Sequence, residues 1–207
     1  MPVTTGTGGE TGTVAKFAIR RVKKLGAAVG DNSNSQYAAL GLKACSTAGC
    51  QIDSGTLQKA VDWWQKSQQK IGAWSYNYDG VYQEQLGLYG SMTAGAASSL
   101  VMLKQMQGLD PKNSEQIRKA INWLADNFTV EKNARTPSGR EEWHHYFLYA
   151  IERLGDLYPT EKIGKYPWYA IGATFLIKTQ QKDGSWTGTN PGLAIADTCF
   201  ALLFLER

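Results

Sequence analysis

The sequence predicts an all-α fold built from antiparallel helix pairs stacked side by side. Three observations carry this. The heptapeptide QQKIGAW, residues 68–74, returns as QQKDGSW, residues 180–186. A Lys-Ala-x-x-Trp signature occurs at Lys59-Ala60-Trp63 and again, 60 residues on, at Lys119-Ala120-Trp123. Apolar residues recur at helical spacings of three and four before each of these marks, and no strand alternation competes with them.

The elements follow in order. Residues 1–12 are rich in Gly and Thr and read as a flexible leader, leaving 13–207 as one repeat domain of about three helix hairpins plus one unpaired helix. The segment 14–25 places Val14, Phe17, Ala18, Val22 and Leu25 on one stripe, with Lys16, Arg20, Arg21, Lys23 and Lys24 opposite. We read it as an outer helix with a solvated basic face rather than a membrane-surface helix. NSQYAALGLKAC, TAGAASSLVMLKQM and HHYFLYAIERLG then supply the first helix of each pair, and DTCFALLFLER begins a fourth. They are poor in charge, so they are expected to be the more buried members. The second helices are SGTLQKAVDWWQKS, with Ser54 as the expected N-cap, SEQIRKAINWLADNF, and PWYAIGATFLIKT, with Pro167 opening its first turn. YNYDGVYQEQLGLYG is expected to be a loop.

Composition narrows the function classes. Of 207 residues, 43% are hydrophobic and 19% charged, an ordinary globular balance. A net charge of +4 without a clustered patch gives no argument for nucleic acid. No apolar run reaches the ~20 residues a membrane span needs. Cys45, Cys50 and Cys199 have neither disulfide-framework nor zinc-ribbon spacing and are expected to be buried or partly buried thiols. No phosphate-binding Gly loop or nucleophile elbow occurs, and no cofactor is implied. Nothing in the sequence assigns a compartment.

Residues 172–186, GATFLIKTQQKDGSW, resemble the QW motif of the terpenoid cyclase and protein prenyltransferase superfamily, with Phe175, Leu176, Gln180, Gly184 and Trp186 in register. Residues 59–74 match it too, through Lys59, Ala60, Trp63, Trp64, Gln68, Gly72 and Trp74. The copy at 119–128 is degenerate, with Phe128 at the Gln position. The resemblance covers residues 31–207 and is closest to bacterial squalene–hopene cyclase-like repeat proteins. It implies a partial α/α toroid in which Gln68, Gly72, Trp74 and Gln180, Gly184, Trp186 are structural clasps.

In such a toroid the inner helices begin at one rim. The candidate ligand-binding residues there are Asp31, Asn34, Gln36, Thr93, His145 and Asp197, with helix capping as the simpler role for several. Three chemistries were weighed on them. Class II cyclisation needs an acidic DxDD-like motif, which the sequence lacks. Prenyl transfer would place zinc on Asp197 and Cys199, with His144 or His145 standing in for a later His; two ligands make a poor zinc site, so no metal is assigned. Carboxylate hydrolysis would use Glu141, Glu142, Asp183 or Asp197. The sequence therefore favours a non-catalytic binding or assembly module over an isoprenoid-processing enzyme. The apolar last helix calls for cover by a protein partner, the remainder of a longer chain or a second copy, and an apolar or isoprenoid ligand fits the family.

Overall fold

The computed structural model describes residues 30–78, 87–135 and 143–207. The leader, the segment 14–25, and Glu141 and Glu142 lie outside the described residues. Seven α-helices appear within them: α1 (Asn32–Thr47), α2 (Ser54–Ser67), α3 (Gly90–Met106), α4 (Glu115–Asp126), α5 (His144–Leu157), α6 (Trp168–Thr179) and α7 (Ala194–Leu205). Short 3-10 turns at Pro111–Asn113 and Pro191–Leu193 lead into α4 and α7. One departure from a purely helical reading is a two-residue antiparallel ladder, Gly30–Asp31 against Asn77–Tyr78, which ties the start of α1 to the loop after α2.

Local sequence explains the helix starts. Asp31 caps α1 by accepting from the Ser33 and Asn34 amides. At α2 the cap is Asp53, whose carboxylate takes the Thr56 amide, so the helix starts on Ser54 instead of being capped by it. A Ser114 hydroxyl caps α4. Pro167 occupies the N-cap of α6, one residue before the helix, where its missing N–H leaves no gap.

The odd-numbered helices form an inner row, α1 on α3, α3 on α5, α5 on α7; α2 and α4 flank α3, while α6 covers α5 and α7. This all-α array of helix hairpins is compatible with part of an α/α toroid. Their first turns are level: a Cβ on Gly90, which opens α3, would strike the Phe147 ring in the first turn of α5, and one on Gly95 would strike the Gln36 side chain of α1. α3 is buried along Gly90–Leu103, and its Ser98 and Ser99 hydroxyls donate to the Ala94 and Gly95 carbonyls, so they need no water.

The expectation that the first helix of each pair is the more buried holds for α3 over α4 and for α5 over α6 and fails for α1 beside α2, while α7, expected to need cover, is largely uncovered. In α1 only Asn32, Gln36 and Ala39 are buried, and in α7 only Asp197, Ala201 and Phe204. Among the described residues these helices end the row, and each packs on one inner neighbour there. The same position overturns the expectation of buried or partly buried thiols for Cys45 on α1 and Cys199 on α7, which are exposed, whereas Cys50 is partly buried as expected.

Candidate functional site

The rim is built from the first turns of the inner helices. At α1, the Asp31 carboxylate accepts from the Ser33 amide and hydroxyl, the Asn34 amide and Nδ2, and the Tyr76 hydroxyl at 2.6–3.2 Å. Burial works against its charge, but these donors outweigh it and hold its pKa below the usual aspartate value. Asn34 is spent on that cap. Asn32 donates to the Ser75 carbonyl and accepts from Trp63 Nε1, fixing α1 on α2.

Deeper in the row, Gln36 Oε1 accepts from the Tyr146 hydroxyl at 2.7 Å, a bond from α5 past Gly95 of α3 to α1. Burial, with smaller contributions from Tyr37, Tyr89, Tyr149 and Asp31, pushes the Tyr146 phenol far above its ordinary range, so it stays a neutral donor. Thr93 serves the first clasp: its hydroxyl donates to the Tyr89 carbonyl and accepts from the Trp74 amide.

Between α5 and α7, His145 Nδ1 stands 3.0 Å from Asp197 Oδ1, and both side chains are buried. The ring nitrogen is close but out of line for a hydrogen bond. Asp197 Oδ2 accepts from the Gly188 amide at 2.8 Å, which ties the turn before α7 to its first helical turn. His144 donates through Nε2 to the Val130 carbonyl at 2.7 Å. Desolvation drives its pKa down to about 4, against the pull of that carbonyl and of Asp197, so the ring is neutral near pH 7.

The rim residues thus meet in separate groups: Asp31 with Asn34, Gln36 with Tyr146, Thr93 with the clasp, and His145 with Asp197. Cys199 is exposed, while the Asp197 carboxylate faces His145 and Gly188. Among the described residues no three His, Cys, Asp or Glu side chains gather as metal ligands. Asp183 lies in the second clasp turn, where the hydroxyl and amide of Ser185 hold its carboxyl below the usual range. A hollow of about 350 Å3 is elsewhere, at the C-terminal end of α3 beside Lys104, Leu109, Asp110 and Ser114, far along that helix from the rim.

Two links were not legible in the sequence: Tyr146, which bonds across three inner helices, and Asn133, whose amide group accepts from the Ser91 amide and donates to its hydroxyl. Glu152 was also missed. It is buried in α5 with the Arg153 guanidinium at 2.9 Å. The only available signal for Tyr146 and Glu152 was an acidic or phenolic group inside an otherwise apolar inner helix.

The two clasps are geometric copies of one another. Trp74 is 0% exposed, and its Nε1 donates to the Trp64 carbonyl at 3.0 Å and to Ser67 Oγ at 3.1 Å. Trp186 is 2% exposed, and its Nε1 donates to the Leu176 carbonyl at 2.9 Å. Thr198 receives the Trp186 amide as Thr93 receives that of Trp74. Gly72 and Gly184 turn at φ 95° and 86°, a conformation that favours glycine.

They differ in what lies beyond them. Gln68 Nε2 bonds both the Gly72 carbonyl and the Gln116 carbonyl in α4, and a Cβ on Gly72 would sit 2.6 Å from the Lys119 carbonyl oxygen. Gln180 Nε2 bonds the Gly184 carbonyl, with no second helix against it among the described residues. A Cβ on Gly184 would meet only the Gln180 side chain, at 3.9 Å.

An 86-residue stretch of the chain is 34% identical to a squalene–hopene cyclase from Zymomonas mobilis subsp. mobilis, covering 42% of this chain and 13% of that protein. No family model matches the chain. No solved structure matches it either. The partial similarity and the all-helical array of hairpins together point to the squalene cyclase superfamily and no further.

Proposed function

We propose that this chain is a cyclase-like helical repeat module whose work is assembly, not catalysis, and that the open end of its array, with the adjoining inner rim and concave face, is its binding surface. The observation that carries this reading is the contrast between the clasps. The first is closed by α4, through the Gln68–Gln116 bond and the tight approach of Gly72 to Lys119. The second has the same turn, the same buried Trp and the same Thr, yet among the described residues no helix packs on its outer side. Beside it α7 presents Ile195 at 84%, Leu202 at 54% and Leu203 at 40% exposure. Apolar side chains grouped in this way mark an interaction site.

A second reading is an isoprenoid-processing enzyme. The partial similarity to squalene–hopene cyclase favours it, and the buried His145–Asp197 pair is the chemistry it would draw on. Two measurements separate the readings. In sedimentation velocity the parent should associate with rising concentration, and Leu202→Lys should abolish that without changing the far-ultraviolet circular dichroism. Incubation with squalene or geranylgeranyl diphosphate should leave each unchanged. Turnover that is lost in Asp197→Asn would decide for the enzyme, and a parent that stays monomeric at tens of micromolar would end the assembly reading.

A further inference from the structure

We infer that the partner of this open end is a second copy of the same chain, docked head to tail so that α1 of one copy continues the inner row after α7 of the other. The inference rests on the assembly reading above and names its partner.

The inner row supplies its own template. Thr93 and Thr198 perform the same task on the two clasp tryptophans, so α3 and α7 are in register at an offset of 105 residues. Under that register Ile195, Cys199, Leu202 and Leu203 of α7 correspond to Gly90, Ala94, Ala97 and Ser98 of α3. Those four α3 residues are buried, and Gly90 abuts Phe147 of α5. Through Gly90 the stripe takes in the side that α3 turns toward α5, the next inner helix. On α7 the same side is exposed.

At the other end of the row, the N-cap positions Asp31 and Tyr89 put α1 and α3 in register at an offset of 58. Tyr37 then corresponds to Gly95, the residue with which α3 meets the preceding inner helix at Gln36. On α1 this side is also exposed. It carries the exposed Ala38, Gly41, Ala44 and Cys45 at helical spacing; Tyr37, 48% exposed, sits at its edge, close enough to the Tyr149 phenol of α5 for burial and that neighbour to raise its pKa. It holds no charged residue.

The two faces complement each other. The α7 face offers large aliphatic knobs, and the α1 face offers Ala and Gly holes. Phe147 of α5 on Gly90 of α3 is a large-on-small match of the same kind inside the chain, with the roles of the two faces exchanged. The contact is heterologous, so it builds a ring if the rotation closes and a filament if it does not. It also explains why two of the three thiols are exposed, since Cys45 and Cys199 both lie on the faces that meet.

The test uses the full chain under reducing conditions. Gly41→Lys alters the α1 face, where an added Cβ meets nothing within 4 Å, so the fold should survive; Ala38→Lys, also exposed, is the backup if it does not. Leu202→Lys alters the α7 face. Each variant alone should lose at least tenfold in self-association. An equimolar mixture should form a dimer and stop there, because one sound α1 face meets one sound α7 face. Maleimide labelling of Cys45 and Cys199 in the parent should slow as concentration rises. If Gly41→Lys and Ala38→Lys associate as the parent does, or if labelling is unaffected while the chain associates, head-to-tail docking is overturned and the open-edge reading stands. If Leu202→Lys associates as the parent does, or the parent is monomeric, both fall.

Discussion

Replacing Trp74 by Ala should be the most damaging single change among the clasp residues. The indole is fully buried among α2, α3 and the turn between them, and its Nε1 is shared by the Trp64 carbonyl and the Ser67 hydroxyl. Truncating a buried Trp to Ala costs about 3–5 kcal/mol where the site cannot collapse. Collapse is blocked here because α4 holds the clasp from outside through Gln68 and Gly72. The loss of about 1 kcal/mol per neutral hydrogen bond adds to this and places Trp74→Ala toward the upper end. Trp74→Phe retains most of the packing and should lose only about 1–2 kcal/mol. At Trp186 one bond is lost and the joint is open on its outer side, so Trp186→Ala should fall toward the lower end. Urea unfolding followed by circular dichroism measures all three. A Trp74→Ala midpoint within error of the parent, or a Trp186→Ala loss clearly larger than that of Trp74→Ala, would refute the view that the closed clasp holds the array together.

The glycines of the clasps should part company in the same assay: Gly72→Ala meets both an unfavourable φ and the Lys119 carbonyl, whereas Gly184→Ala meets only the φ, so the first should be destabilised by about 1–3 kcal/mol more. Gln68→Ala, which releases the Gln116 carbonyl, should lose about 1–2 kcal/mol, while Gln180→Ala should be close to neutral in the dissociated chain. His144 has a folded pKa of about 4, below its ordinary 6.5, so the unfolded chain takes the proton first as pH falls. Its contribution is therefore present above about pH 6.5 and is lost toward pH 4, by about 3 kcal/mol in all. His144→Gln, which can keep the donor to the Val130 carbonyl, should flatten the parent's stability profile over that window; an unchanged profile would show that another group carries the dependence.

How much was legible in the sequence differs between the clasps and the rim. Gln68, Gly72 and Trp74 could be read because a turn at positive φ, a glutamine that bonds across it and an indole that covers it must sit at fixed spacing. The spacing is local and appears twice. The rim residue Asp31 was legible as a cap for a similar local reason. The meeting of Gln36 with Tyr146, 110 residues apart, was not legible. It depends on how close the inner helices approach at Gly95, and no local pattern encodes that distance. His145 and Asp197 had been expected on one rim, but their pairing, and the separation of that pair from Asp31, follow from the level of each helix in the row.

The sequence by itself determined the all-α class and the local chemistry of the two Gln-x-x-x-Gly-x-Trp turns, because periodicity, capping and turn chemistry act over a few residues. Only the tertiary structure decided which inner helices are buried. α3 is enclosed although it is the less apolar of the two, and α7 exposes Ile195, Leu202 and Leu203. Burial depends on how many neighbours a helix has, and position in the row sets that number.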